Sequence, residues 1–85
     1  MRLYAVYFGV NHEGEGLEGV FSSQELALEQ VELSKVMHGG HRLKGGAKWL
    51  WDDRFGHDHA WSLNDLYIRL EEIELDRKVH ERISD

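Results

Sequence analysis

The chain contains no cysteine and no proline. The first absence excludes disulfide staples and thiolate metal sites, and it fits a reducing cytoplasm. The second leaves the glycine-rich stretches without a stiffening residue. Basic residues are also scarce: ten Lys and Arg stand against sixteen Asp and Glu, for a formal net charge of −6. A general phosphate-binding surface is therefore not expected, because affinity for DNA or RNA comes mainly from clustered Lys and Arg. Long apolar runs are missing as well. The opening "MRLYAVYFGV" holds only a short one, too short for the apolar region of a signal peptide, and no run is long enough to span a membrane. The expectation is a cytoplasmic protein without a membrane segment.

What is present describes one small domain over residues 1–85. Nine aromatic residues must carry much of its core. Arg2 to Val10 reads as a strand with two largely apolar faces, Tyr4, Val6, Phe8 and Val10 on one and Leu3, Ala5, Tyr7 and Gly9 on the other. Such a strand is central and covered on both sides. "NHEGEG" (Asn11 to Gly16) is a turn, and Leu17 to Phe21 returns antiparallel. "SSQELALEQVELSKVM" follows as a helix. Ser22 with Glu25 three residues on makes a capping box, with Ser23 as the alternative cap. Leu26, Ala27, Gln30, Val31, Ser34 and Met37 form its apolar face, and Glu25, Glu29 and Glu32 form an acidic stripe. "HGG" at His38 to Gly40 ends it. Residues 41–61 show no clean period.

The last element reads two ways. Leu63, Leu66, Tyr67, Leu70 and Ile73 sit at helical spacing, with Ser62 and Asp65 as a cap. Leu66, Ile68 and Leu70 also alternate as a strand, with Ile73 in the opposite phase, which calls for a bulge near Glu71 and Glu72. A two-stranded ribbon alone is marginal, so a third strand beside Arg2 to Val10 is favoured.

"GVFSSQELALEQV" (Gly19 to Val31) and "YIRLEEIELD" (Tyr67 to Asp76) resemble a loose group of small, largely uncharacterised phage and prokaryotic proteins. Those have a short hairpin, a "VFSS" turn into a helix, and a closing strand ending near "ELD". The resemblance implies a strand for the last element and brings no catalytic residues with it. The middle segment has no counterpart in the group. The expected fold is α+β: a three-stranded antiparallel sheet of order 2-1-3, one main helix on one face, and a Trp-rich irregular segment before the last strand.

Three candidate sites compete with plain structural explanations. His57 and His59, with His38, His41, Asp53 or Asp58, could hold a metal, since neutral imidazole is a good zinc ligand. The spacing matches no zinc signature, so a solvated loop is the preferred reading and no metal or other cofactor is expected. "HRLKGGAKWLW" gathers Arg42, Lys44 and Lys48 with Trp49 and Trp51, and Trp61 follows. Tryptophans beside lysines can stack on bases. The plainer reading puts these tryptophans in the core and the lysines on a wet rim. The acidic face Glu25, Glu29 and Glu32 suits a basic partner, or is merely the solvated side of a helix. No P-loop spacing, no G-x-S-x-G and no placed acid–base couple is present. A non-catalytic protein-interaction module is expected, an accessory or inhibitor protein of phage origin that binds a host protein. Nucleic-acid or nucleotide binding through residues 41–51 is the alternative. The second face of the central strand must be covered by the three tryptophans or by a second copy, and a homodimer is expected.

Overall fold

A computed structural model describes residues 1–56 and 58–74. The fold is α+β, with one helix against one antiparallel sheet. In chain order the elements are β1 (Arg2–Val10), β2 (Gly14–Phe21), α1 (Gln24–Lys44), β3 (Leu50–Trp51), β4 (His59–Leu63) and β5 (Leu66–Glu74). The sheet has five strands in the order β2-β1-β5-β4-β3, not three. The expected 2-1-3 arrangement survives inside it as β2-β1-β5. The Trp-rich segment is not irregular throughout: it supplies β3 and β4, with Trp51 paired to Trp61. Two- and five-residue strands are too short for alternation to register.

The last element is a strand. Ser62 to Asp65 is not a helix cap. Leu63 pairs with Leu66 across a two-residue turn in which Asn64 takes a φ of 56°, a conformation asparagine tolerates. No bulge occurs near Glu71 and Glu72, because the register between β1 and β5 runs unbroken from Arg2 opposite Glu74 to Val10 opposite Leu66. Ile73 simply lies on the other face, beside Leu3. Leu75 and Asp76, the end of the "ELD" motif, fall outside the described residues. The bulge lies in β2 instead: Val6 pairs with Gly19 and Tyr7 with Leu17, which leaves Glu18 as the extra residue.

Ser23, not Ser22, caps α1. Its backbone is extended and its Oγ accepts from the Leu26 N–H at 3.2 Å. β2 runs to Phe21, so Ser22 is needed to turn the chain. The helix also passes its expected stop. Gly40 kinks it with φ 47° and ψ −122°, a further turn follows, and the Gly45 N–H donates to His41 O at 3.0 Å. Only glycine meets that φ without strain.

The core is Val6, Ala27, Val31, Ile68 and Leu70, ringed by Tyr4, Phe8, Phe21, Trp49 and Trp61. Helix and sheet divide the work by size. α1 buries Ala27, Val31, Ser34 and Gly39, while the sheet raises the aromatics around them. Leu26 and Met37, expected on the buried face, are 46% and 64% exposed. The tryptophans do not cover the helix-free side, since Trp49 and Trp61 pack on the helix side. No helix among the described residues is long and apolar enough to cross a membrane.

The cap gives a direct check. Ser23→Ala should lower unfolding free energy by about 1 kcal/mol in urea titrations. Ser22→Ala, at an exposed position, should change it by less than about 0.5 kcal/mol.

Candidate functional site

The basic and aromatic segment is only partly available. Trp49 donates its indole N–H to Lys35 O at 3.1 Å, and Trp61 sits under Lys35 Nζ at 4.9 Å. Arg42 Nη2 reaches Asp65 at 3.4 Å. Lys44 and Lys48 are exposed. Trp51 is 60% exposed, edge-on to both Trp61 and His59. A six-residue platform is therefore not assembled: two of its tryptophans belong to the core and its arginine is paired.

The histidines are dispersed. His59 contacts Trp51, His41 is exposed, and His38 stacks on Phe8 with ring centroids 3.6 Å apart. His57 lies outside the described residues. Among the described residues no three His, Asp or Glu side chains gather as a metal would need. Glu25, Glu29 and Glu32 are all exposed, and Glu32 accepts from the Lys35 ammonium at 3.2 Å.

The helix-free face is organised by one cation. Arg69 of β5 reaches Glu15 of β2, Asp58 before β4 (2.7 Å) and Glu71 of its own strand (3.3 Å). Its guanidinium lies 4.2 Å over the Tyr7 ring of β1. Tyr67 donates its hydroxyl to Glu15 at 2.9 Å and packs against Phe55, with Arg54 above both rings. Gly9 is required beneath it, because a Cβ there would collide with the Tyr67 ring. The hydrogen bond from Arg69 holds the Glu15 carboxyl below the ordinary range, against the opposing effect of burial. Burial and the Glu15 contact push Tyr67 up. The face expected to need a tryptophan lid is covered by this cluster and by the Phe55 loop.

β2 is tied down on its other face as well. Glu18, the extra residue of the bulge, points toward α1, where its Oε1 accepts from Ser34 Oγ at 3.2 Å and contacts His38 Nε2. Gln30 Nε2 donates to Ser34 Oγ at 3.0 Å. Serine, histidine and a carboxylate lie together here, but not as a nucleophile and its base. The carboxylate stands between the other two, so the imidazole is not placed to take the hydroxyl proton. Ser34 is also 0% exposed. A groove of about 340 Å³ beyond the N-terminus of α1 is lined in part by Arg2, Glu72 and Glu74. Arg2 pairs there with Glu72 and Glu74, and Asp58 and His59 line the same groove.

Among the described residues the exposed large apolar side chains are Met1, Leu17, Val20, Leu26, Leu28, Leu33, Val36, Met37, Leu50 and Trp51. Lys35 leans toward Trp49 and Trp61, so the opposite flank of α1 overhangs β2. That flank carries Leu26, Leu33 and Met37, at positions i, i+7 and i+11, and they are 46%, 54% and 64% exposed. On the helix-free face β2 adds Leu17 and Val20, also exposed. Five large apolar side chains thus border one edge strand from both sides. The sequence offered one signal for them: α1 has more apolar positions than a single buried stripe can use.

No protein-family model, no curated protein and no solved structure matches the chain.

Two measurements test the Arg69 cluster. Arg69→Ala should cost about 3 kcal/mol at neutral pH, the low end for breaking a buried pair, because its carboxylate partners keep part of their surface in water. Glu15 is held below its ordinary value of 4.5. Its contribution is therefore complete above that pH and is lost as pH falls through the lower folded value. Urea midpoints measured from neutral to acid pH should fall less steeply for Glu15→Gln than for the parent.

Proposed function

We propose that this chain is a small non-catalytic protein-interaction module that docks a partner protein along the β2 edge and the overhanging flank of α1. The observation carrying this reading is the row Leu17, Val20, Leu26, Leu33 and Met37, exposed around a single edge strand. Large apolar side chains exposed on both sides of an edge strand cost solubility and are typical of interaction sites. An edge strand also offers a line of unpaired backbone donors and acceptors, which a partner strand can complete. The net charge of −6 and the burial of Trp49 and Trp61 both speak for a protein partner over a nucleic acid. An accessory or inhibitor role of phage origin is the biological setting we favour.

The alternative, single-strand binding through residues 41–51, keeps Trp51, Lys44 and Lys48 as its exposed groups. Tryptophan fluorescence titrated with short oligonucleotides should show no saturable change. Saturable, salt-sensitive quenching that disappears in Lys44→Ala/Lys48→Ala would reverse the assignment. The positive test is matched affinity capture from the native cell. A partner held by the parent and by Lys44→Ala/Lys48→Ala, and lost with Leu33→Glu/Met37→Glu, is the expected outcome. Equal recovery with all three proteins would remove the surface from consideration.

A further inference from the structure

We infer that the occupant of the β2 edge is a second copy of this chain, added antiparallel about a two-fold axis that passes between Glu18 and Gly19. The inference rests on the docking surface proposed above and names its partner.

The first argument is what the edge lacks. Edge strands are guarded against pairing by lysine, by proline, by charges turned outward or inward, and by bulges. β2 reads "GEGLEGVF", with neither lysine nor proline, and the guard it does carry is the bulge at Glu18. Its two acids are consumed inside the chain, Glu15 by Arg69 and Tyr67, Glu18 by Ser34 and His38. A copy approaching this edge meets no unpaired carboxylate of the strand, although the chains as a whole repel each other.

The second argument is register. Opposed residues of an antiparallel pair point to the same face of the sheet. The bulge breaks simple alternation in β2. Leu17 and Val20 point to the helix-free face, opposite Tyr7 and Ala5. Gly16, Gly19 and Phe21 point to the helix side, opposite Phe8, Val6 and Tyr4, and Glu18 joins them there. From Gly16 to Phe21 this order of faces reads the same in both directions about the Glu18–Gly19 midpoint. One two-fold register therefore keeps every opposed pair of that stretch on a common face. It sets Leu17 against Val20 of the copy, Gly16 against Phe21, and Glu18 against Gly19. No like charges are directly opposed, and the two Glu18 side chains, diagonal to each other at the axis, are each held by Ser34 and His38 of their own chain. A two-fold register centred on Leu17 would instead oppose Glu15 to Gly19, which point to different faces.

The third argument is the helix. α1 touches β1, β2 and β5, and its buried side chains pack on Val6 of β1 and on Ile68 and Leu70 of β5. Its flank on the β2 side would face the same flank of the copy across the seam. The side chains facing across that gap are Leu26, Leu33 and Met37. The same act of pairing would thus cover Leu17 and Val20 on one face and the α1 flank on the other. A closed two-fold contact of this kind also stops at two chains.

Sedimentation velocity at micromolar concentration should give a species of twice the chain mass, shifting to one chain mass in Val20→Lys with the circular dichroism unchanged. Val20 is half exposed on an edge, so the substitution leaves the monomer folded, and Leu33→Glu serves as the second disrupting variant. The register is read by cross-linking, helped by the absence of native cysteine. Opposed Cα atoms lie within disulfide reach, whereas residues three positions out of register lie roughly 10 Å apart along the strand. A mixture of Leu17→Cys and Val20→Cys chains should therefore form a disulfide dimer, and each alone should not. A parent that stays monomeric, or a dimer indifferent to Val20→Lys, overturns the self-pairing. If partner capture is nevertheless lost in Leu33→Glu/Met37→Glu, the docking surface stands and only its occupant is wrong. If capture is unaffected too, both ideas fall.

Discussion

One guanidinium holds the helix-free face of the sheet. Arg69 joins β2 through Glu15, the approach to β4 through Asp58, and its own β5 through Glu71, while its guanidinium lies over the Tyr7 ring of β1. Three strands of a five-stranded sheet and the segment leading into a fourth are thereby pinned at one point. A face without a second helix would otherwise rest on Ala5, Tyr67 and the Phe55 loop. A planar cation with several fixed donors suits this place, since lysine could not bridge three carboxylates and stack on a ring at once. The arrangement is strong only while it is whole, because each carboxylate left without the cation keeps the cost of its partial burial.

The other face is solved by size. A helix that buries Ala27, Val31 and Ser34 can sit close to the sheet, and the aromatics from the strands close around it. The consequence is that the larger apolar side chains of α1 have nowhere to go. Leu26, Leu33 and Met37 remain on the flank because the interior is already filled from below. Close packing allows no compromise here, since larger residues under the helix would lift it from the sheet.

The parts legible in the sequence were those with long or two-sided patterns. β1 declared itself by being apolar on both faces, and the helix by its serines and its period. Pairing of the last strand with β1 followed from the weakness of a bare ribbon. The cap was displaced by one residue because Ser22 and Ser23 are chemically equivalent, and only the end of β2 at Phe21 chooses between them. β3 and β4 stayed hidden because their pairing is a tertiary fact: Trp51 meets Trp61 across a loop that carries no alternation. The candidate site was harder still. Counting hydrophobic positions finds Leu26 and Met37 at once, but periodicity cannot say which of two adjacent stripes the sheet will take. Small residues under the helix were the deciding feature, and their significance appears only when the opposing aromatics are known. The Arg69 cluster joins residues as far as 54 positions apart, a separation at which no local pattern is informative.

The two solutions meet on β2. Alternation along the strand turns Glu15 to Arg69 on one face and Glu18 to Ser34 and His38 on the other, and the extra residue reverses the phase only after Glu18. Each contact secures a different layer of the fold, yet together they draw both carboxylates of the strand into the chain's own contacts. What remains along that border is backbone, glycine and aliphatic surface. Glu18 is the extra residue of the bulge and points to the helix side, so the order of faces from Gly16 to Phe21 reads the same in both directions.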